Sequence, residues 1–257
     1  VSQRSDPIGV FDSGVGGLST LRVLAQQLPN EDFVFFGDSA NAPYGNKSQV
    51  EVQRLSERVV QQLQAVHVKT IVIACNTATS AAKPQLMAAH PELDLLGIEP
   101  ALKAAVDAGH KRILVLGTAL TLSLPKLKAQ VARFQGQATI YPQACPGLAE
   151  LIEHQADAEQ VQALLHQLLQ PYANQTIDAV VLGCTHYPFV ADEIQAELAQ
   201  LPTVYTGDAG VAANLQRHLQ RRQLLNVTPH VQQIQLMSSR KTPAELALYR
   251  QLLGLEG

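Results

Sequence analysis

The chain has 257 residues, 46% hydrophobic and 16% charged, a composition that excludes a peptide or a disordered tail and leaves room for one large domain or two modest ones. A net charge of −3 without runs of like charge excludes a broad footprint for nucleic acid or an anionic membrane, so a small molecule is the expected partner. The longest apolar runs, such as Thr70–Cys75 and Ile113–Leu116, fall far short of the roughly 18 residues of a bilayer span, and Val1–Pro7 has no apolar signal core; a cytoplasmic protein is expected.

In chain order, short β-rich runs alternate with segments of helical period, which predicts an α/β fold on mostly parallel sheets. Strands are expected at Ile8–Phe11, Phe33–Phe36, Thr70–Ala74, Asp94–Gly97, Ile113–Leu116, Ala138–Tyr141, Asp178–Gly183, Thr203–Tyr205 and Val231–Met237. Ser48 with Glu51 forms a capping box, after which Val52, Leu55, Val59, Leu63 and Val66 mark one helix face. Asp157 opens a second helix that Pro171 stops, and Thr242-Pro243-Ala244-Glu245 supplies cap, first-turn proline and N3 glutamate for the last one. The segment Thr70-Ile-Val-Ile-Ala-Cys75-Asn-Thr is echoed 109 residues later by Ala179-Val-Val-Leu-Gly-Cys184-Thr-His, and the segment around Asp12 is echoed 106 residues later around Thr118. Two related α/β lobes follow from this reading, chance likeness of buried strands being the alternative.

Ligands of open α/β sheets bind beyond the carboxyl ends of strands, and polar groups collect there. Asp12 and Ser13, Asp38, Cys75-Asn76-Thr77, Thr118 with Thr121, and Cys184-Thr185-His186 each follow a strand. The three cysteines are too scattered for a disulfide framework or a CxxC pair, so any that matter do so as thiols. Cys75 and Cys184 are each expected beside a helix start, whose N–H groups and dipole would favour a thiolate; Asp12 and His186 are candidate partners. Asp12 reads equally as a helix cap and His186 as a turn residue before Pro188. Cys145-Pro146 reads as packing. Cys184 and His186 are too close for the usual zinc spacing. Gly14-Val15-Gly16-Gly17 reads as a nest for a carboxylate, and Pro43-Tyr44-Gly45 either as a plain turn or as one aiming a hydroxyl and bare amides at a ligand.

Together, Asp12-Ser-Gly-Val-Gly-Gly17, Gly37-Asp38 with Pro43-Tyr44-Gly45, Cys75-Asn-Thr-Ala-Thr79, Cys145-Pro146 with Glu153, and Gly183-Cys184-Thr-His-Tyr-Pro188 resemble the glutamate racemases of the aspartate/glutamate racemase family, in the family's order from Ile8 to about Asp208. The resemblance implies two pseudo-symmetric α/β domains, 1–98 plus 208–257 and 99–207, with the active site in the cleft between them. It implies a cofactor-independent, metal-free isomerase that interconverts L- and D-glutamate and supplies D-glutamate for peptidoglycan synthesis, working as a homodimer. Cys75 and Cys184 would be the two acid/base residues, Asp12 assisting Cys75, and His186 with Glu153 assisting Cys184. Asp12, Ser13, Tyr44, Gly45, Asn76, Thr77, Thr118, Thr121, Thr185 and His186 would hold the substrate. With only Val1–Pro7 ahead of the first strand, control by a cell-wall precursor through an N-terminal extension is not expected. Competing expectations are an aspartate racemase, a cysteine-dependent hydrolase or transferase using Cys75 alone, and a binding protein for an acidic amino acid.

Overall fold

A computed structural model describes residues 2–254. The first half begins with strand β1 (Ile8–Asp12), helix α1 (Gly17–Gln27), β2 (Phe33–Gly37), α2 (Gln49–Ala65), β3 (Thr70–Ile73), α3 (Asn76–Ala81), α4 (Lys83–Ala89) and β4 (Leu95–Gly97). There follow α5 (Leu102–Asp107), β5 (Arg112–Gly117), α6 (Ala119–Ser123), α7 (Pro125–Phe134), β6 (Thr139–Ala144), α8 (Leu148–Glu153), α9 (Ala158–Leu169), β7 (Ala179–Gly183), α10 (Ala191–Ala196) and β8 (Thr203–Thr206). The chain closes with α11 (Asp208–Arg221), β9 (Ile234–Ser238) and α12 (Pro243–Leu253).

The strands form two sheets, ordered β4-β3-β1-β2-β9 and β6-β5-β7-β8, and every pairing is parallel. The duplication read from the cysteine segments is present in the topology. In each sheet the first strand lies at the centre, flanked by the second and third, with the fourth beyond the third. Cys75 and Cys184 therefore leave equivalent third strands.

Burial explains why the strands are continuous apolar runs. β1, β2, β3 and β7 are buried at every position because helices cover both faces of each sheet. One layer of the five-stranded sheet packs Val10, Leu21, Phe35, Leu215 and Tyr249; the opposite layer packs Phe11, Val52, Val59, Ile71 and Ile73. Each such side chain contributes about 1.5–3 kcal/mol relative to exposure. The three expected helix caps form: Ser48, Asp157 and Thr242 accept the backbone N–H of Glu51, Gln160 and Glu245.

Seven strands end within one residue of their expected limits, and two differ by more. β6 runs on through Pro142 to Ala144, which a parallel sheet tolerates because β6 is an edge strand. β9 starts at Ile234, three residues late, because Gln232 turns its amide inward to the carbonyls of Ala25, Leu28 and Glu31. β9 adds a fifth strand beyond β2, and α11 and α12 pack on α1, returning the end of the chain to the first sheet.

Candidate active site

The two halves of the site grow from equivalent places. β3 is followed by Cys75, which caps α3: its Sγ accepts the Ala78 N–H at 3.4 Å and lies 3.7 Å from the Ser13 hydroxyl. Asp12, at the end of β1, is fully buried; Oδ2 accepts the Gly14 N–H and Oδ1 accepts the Thr185 hydroxyl, both at 3.0 Å. It does not cap α1, whose N-cap is Gly16. Burial raises the Asp12 carboxyl above its usual range, although the His186 charge and the Gly14 N–H oppose the shift. Burial also pushes the Cys75 thiol far above its usual value, and the Asp12 carboxylate adds to this. The expected helix-start effect is thus outweighed, since one N–H from a six-residue helix opposes complete desolvation of the sulfur. Cys184 is a further cause of the Cys75 shift, so the sulfurs sit within each other's field.

Cys184 leaves β7 into a 3-10 turn at Tyr187–Val190 instead of the expected helix start. Its Sγ lies 3.8 Å from His186 Nδ1. The other ring nitrogen, Nε2, donates to Glu153 Oε2 at 2.7 Å, so sulfur, imidazole and carboxylate form one buried chain. Burial alone would lower the His186 pKa, but Cys184 and Glu153 raise it well above 6.5, so the buried ring holds a proton more tightly than a free imidazole. Burial alone would raise Glu153, yet the His186 hydrogen bond and charge, with help from the Val15 N–H and Ser39, hold its carboxyl below the usual range. His186 is therefore the middle of a buried chain of contacts from Cys184 to Glu153 and not merely a turn residue.

The Gly14–Gly17 nest does bind a carboxylate, but the protein's own: Val15 N–H donates to Glu153 Oε2 at 2.9 Å. Thr77, Thr118 and Thr121 form a closed ring of hydroxyls, each pair 3.0–3.1 Å apart, joining α3 to the N-terminus of α6. Asn76 Oδ1, beside Cys75, is buried with no protein partner. The Tyr44 hydroxyl is not free to meet a ligand, because it donates to Asp38 Oδ2 at 2.6 Å. Gly45 lies so close to Thr118 that a Cβ there would be 2.5 Å from Thr118 Cγ2. Cys145 packs as expected, buried in the core of the second unit with its thiol pushed up to about 12 by burial.

Sequence reasoning missed two contributors, whereas the Val15 amide belongs to the turn read as a carboxylate nest. Ser39 follows β2 and its hydroxyl lies 2.7 Å from that of Tyr249, which reaches the site because β9 and α12 fold back onto the first sheet. A cavity of about 30 Å³ between Pro43–Asn46 and the Thr118, Cys145 and Glu150 segments adjoins the cluster, space for about one water. A larger groove of about 830 Å³, lined by Asp6, His67, Glu92 and Arg222, lies at the opposite, amino ends of the strands, where open sheets do not build their sites.

Fold and site together define a two-sheet α/β protein with two buried thiols at the carboxyl ends of equivalent strands. The family model described as Asp/Glu/Hydantoin racemase matches residues 8–214, and the chain belongs to that family. It is 42% identical over 257 residues to a glutamate racemase of Clostridium acetobutylicum, covering 99% of this chain and 100% of the relative. Among solved structures, a glutamate racemase from Bacillus anthracis superposes with a TM-score of 0.87 at 30% identity, covering 98% of this chain and 95% of that one. A glutamate racemase from Francisella tularensis subsp. tularensis in complex with D-glutamate gives a TM-score of 0.83 at 26% identity, covering 98% and 94%.

Proposed function

We propose that the chain racemises glutamate by a two-thiol acid/base mechanism in a cleft between two domains, 1–98 with 208–257 and 99–207. The observation that carries this reading is the burial of Cys75 and Cys184 beyond equivalent strands, Cys75 beside Ser13 and Cys184 beside His186, with Asp12 and Thr185 hydrogen-bonded from one sheet to the other. Full-length similarity to glutamate racemases supports it.

Inversion at a carbon requires a proton to leave one face and another to arrive at the opposite face. Cys75 takes the α-proton of D-glutamate while Cys184 delivers its own from the other side, and the reverse direction exchanges these roles. Each thiol must shed its proton before it can act as the base. Asp12, with its raised affinity for a proton, receives the one from Cys75; His186, whose affinity for a proton is raised as well, receives the one from Cys184 and as an imidazolium neutralises the thiolate formed there. Glu153 keeps that imidazolium oriented and charged. The α-carbon proton is so weakly acidic that the developing negative charge needs fixed donors and little water. Ser13, Asn76, Thr77 and Thr185, with Thr118, Thr121 and the Tyr44–Gly45 turn, hold the amino and carboxylate groups. With the thiols only 4% and 7% exposed, the cleft opens to admit substrate and closes for chemistry.

The protein acts in the cytoplasm as a homodimer and supplies D-glutamate to peptidoglycan synthesis. No helix among the described residues is long and apolar enough to cross a membrane. The test is circular-dichroism polarimetry of purified protein on L- and D-glutamate with no pyridoxal phosphate added, with loss of the α-proton followed in deuterated water. Decay of optical rotation from both enantiomers to zero is expected. Retention of the α-proton would leave only a binding protein.

A further inference from the structure

The groups that serve the two thiols are each held by a donor from the opposite unit. Asp12 ends the central strand of the five-stranded sheet, yet its Oδ1 accepts the hydroxyl of Thr185, which follows β7 of the other sheet. Glu153 ends α8 in the second unit, yet its Oε2 accepts the backbone N–H of Val15, from the turn after β1. The turn that supplies this N–H is pressed flat against the relay. A Cβ at Gly14 would lie 2.1 Å from Glu153 Oε2 and within 2.5 Å of Cδ and Oε1. A Cβ at Gly16 would lie 2.4 Å from His186 Nδ1 and 2.7 Å from Thr185 Oγ1. Neither glycine has a positive φ, and Gly16 sits at −55°, −41°, so the backbone would accept alanine at both. The requirement for glycine is imposed from across the cleft.

We propose that Gly14-Val15-Gly16 is a positioning element that completes the Glu153–His186–Cys184 chain only when the two units meet, so that closure itself assembles the acid/base machinery. The inference rests on the racemase reading and extends it to residues that touch neither sulfur. In an open cleft Glu153 loses the Val15 N–H and Asp12 loses the Thr185 hydroxyl at the same moment. Both thiols then lose their prepared partners together, which keeps them unreactive until substrate is enclosed. A side chain at Gly14 would displace the Glu153 carboxylate from His186 while leaving the first unit's own fold untouched.

The test is a double-mutant cycle on the full-length protein with Gly14→Ala, Glu153→Ala and the pair, read as kcat and KM for both enantiomers alongside hydrogen exchange of the Val15 amide. Gly14→Ala is expected to fold, to lower kcat on the order of 100-fold with a much smaller change in KM, and to speed Val15 exchange. In the Glu153→Ala background, where the three nearest atoms to the new Cβ are gone, Gly14→Ala should cost less than about threefold more. A Gly14→Ala enzyme within about threefold of the parent, or an equal loss in both backgrounds, overturns the proposal. Should Gly14→Ala fail to fold, Glu153→Ala reads the same contact: faster Val15 exchange supports it and unchanged protection overturns it. The exchange measurement needs no substrate, so a parent inactive on glutamate would refute the racemase reading while leaving this contact separately tested.

Discussion

Cys75 and Cys184 leave equivalent strands of two sheets wound in the same order, yet their surroundings differ in charge. Cys75 faces a carboxyl group that burial drives toward its neutral form and is braced by a backbone N–H and a serine hydroxyl. Cys184 faces an imidazole whose affinity for a proton is raised, tied to a carboxylate held below its usual range. The topology gives the two cysteines equivalent positions, and in the two-thiol proposal their different neighbours give two different places to store a proton. The lesson is that a reaction symmetric in its substrates does not need symmetric catalysts. L- and D-glutamate have equal free energy in water, so kcat/KM must stay equal in the two directions for every variant; asymmetry can emerge only in kcat and KM separately and in isotope exchange.

The largest effects should follow removal of either sulfur. Cys75→Ala and Cys184→Ala are each expected to reduce inversion by on the order of 10³-fold or more, measured by polarimetry. Full turnover in either one would mean that a single thiol does the chemistry and that the pairing is incidental.

Next come the proton stores. Asp12→Asn and Glu153→Gln are expected to lower kcat by about 10- to 100-fold. Their signatures should be opposite: Asp12→Asn slows α-proton washout in deuterated water chiefly from D-glutamate, and Glu153→Gln chiefly from L-glutamate. Identical washout patterns would erase the functional distinction between the halves.

A smaller effect tests the charge on His186. Its folded pKa lies well above 6.5, so the stability gained from the imidazolium is complete below about pH 6.5 and is lost as pH rises through the higher folded value. The drop in melting temperature caused by His186→Gln should therefore be greatest near pH 6 and narrow in alkaline solution. A drop independent of pH would show that the ring contributes packing alone.

The least effect marks the boundary of the site. Ser48→Ala removes the cap of α2 and should cost about 1 kcal/mol in denaturant unfolding, with kcat unchanged. A change in kcat from this substitution would mean that the Tyr44–Gly45 turn, just upstream, is coupled to α2.

Much of the fold was legible in local pattern. Buried parallel strands must be apolar throughout, which exposed the central strands β1, β2, β3, β5 and β7, and cap chemistry located α2, α9 and α12. The echo between the Cys75 and Cys184 segments was legible because equivalent strands bury equivalent residues. The site was legible as a set of polar strand ends, but the nature of its contacts was not. Tyr44 was open to aiming its hydroxyl at a ligand, and that hydroxyl is bound to Asp38. The glycine turn was read as holding a ligand carboxylate, and it holds Glu153. Such pairings join residues up to 138 positions apart and leave no periodic trace.

The sequence by itself pointed to two related α/β units and put a thiol just past a strand of each, because periodicity and burial act over a few neighbouring residues. Only the tertiary structure decided the state of those thiols and their partners. Desolvation, the field of one sulfur on the other, and the exchange of donors between units depend on distances set when the two sheets pack together, and no short stretch of chain encodes them.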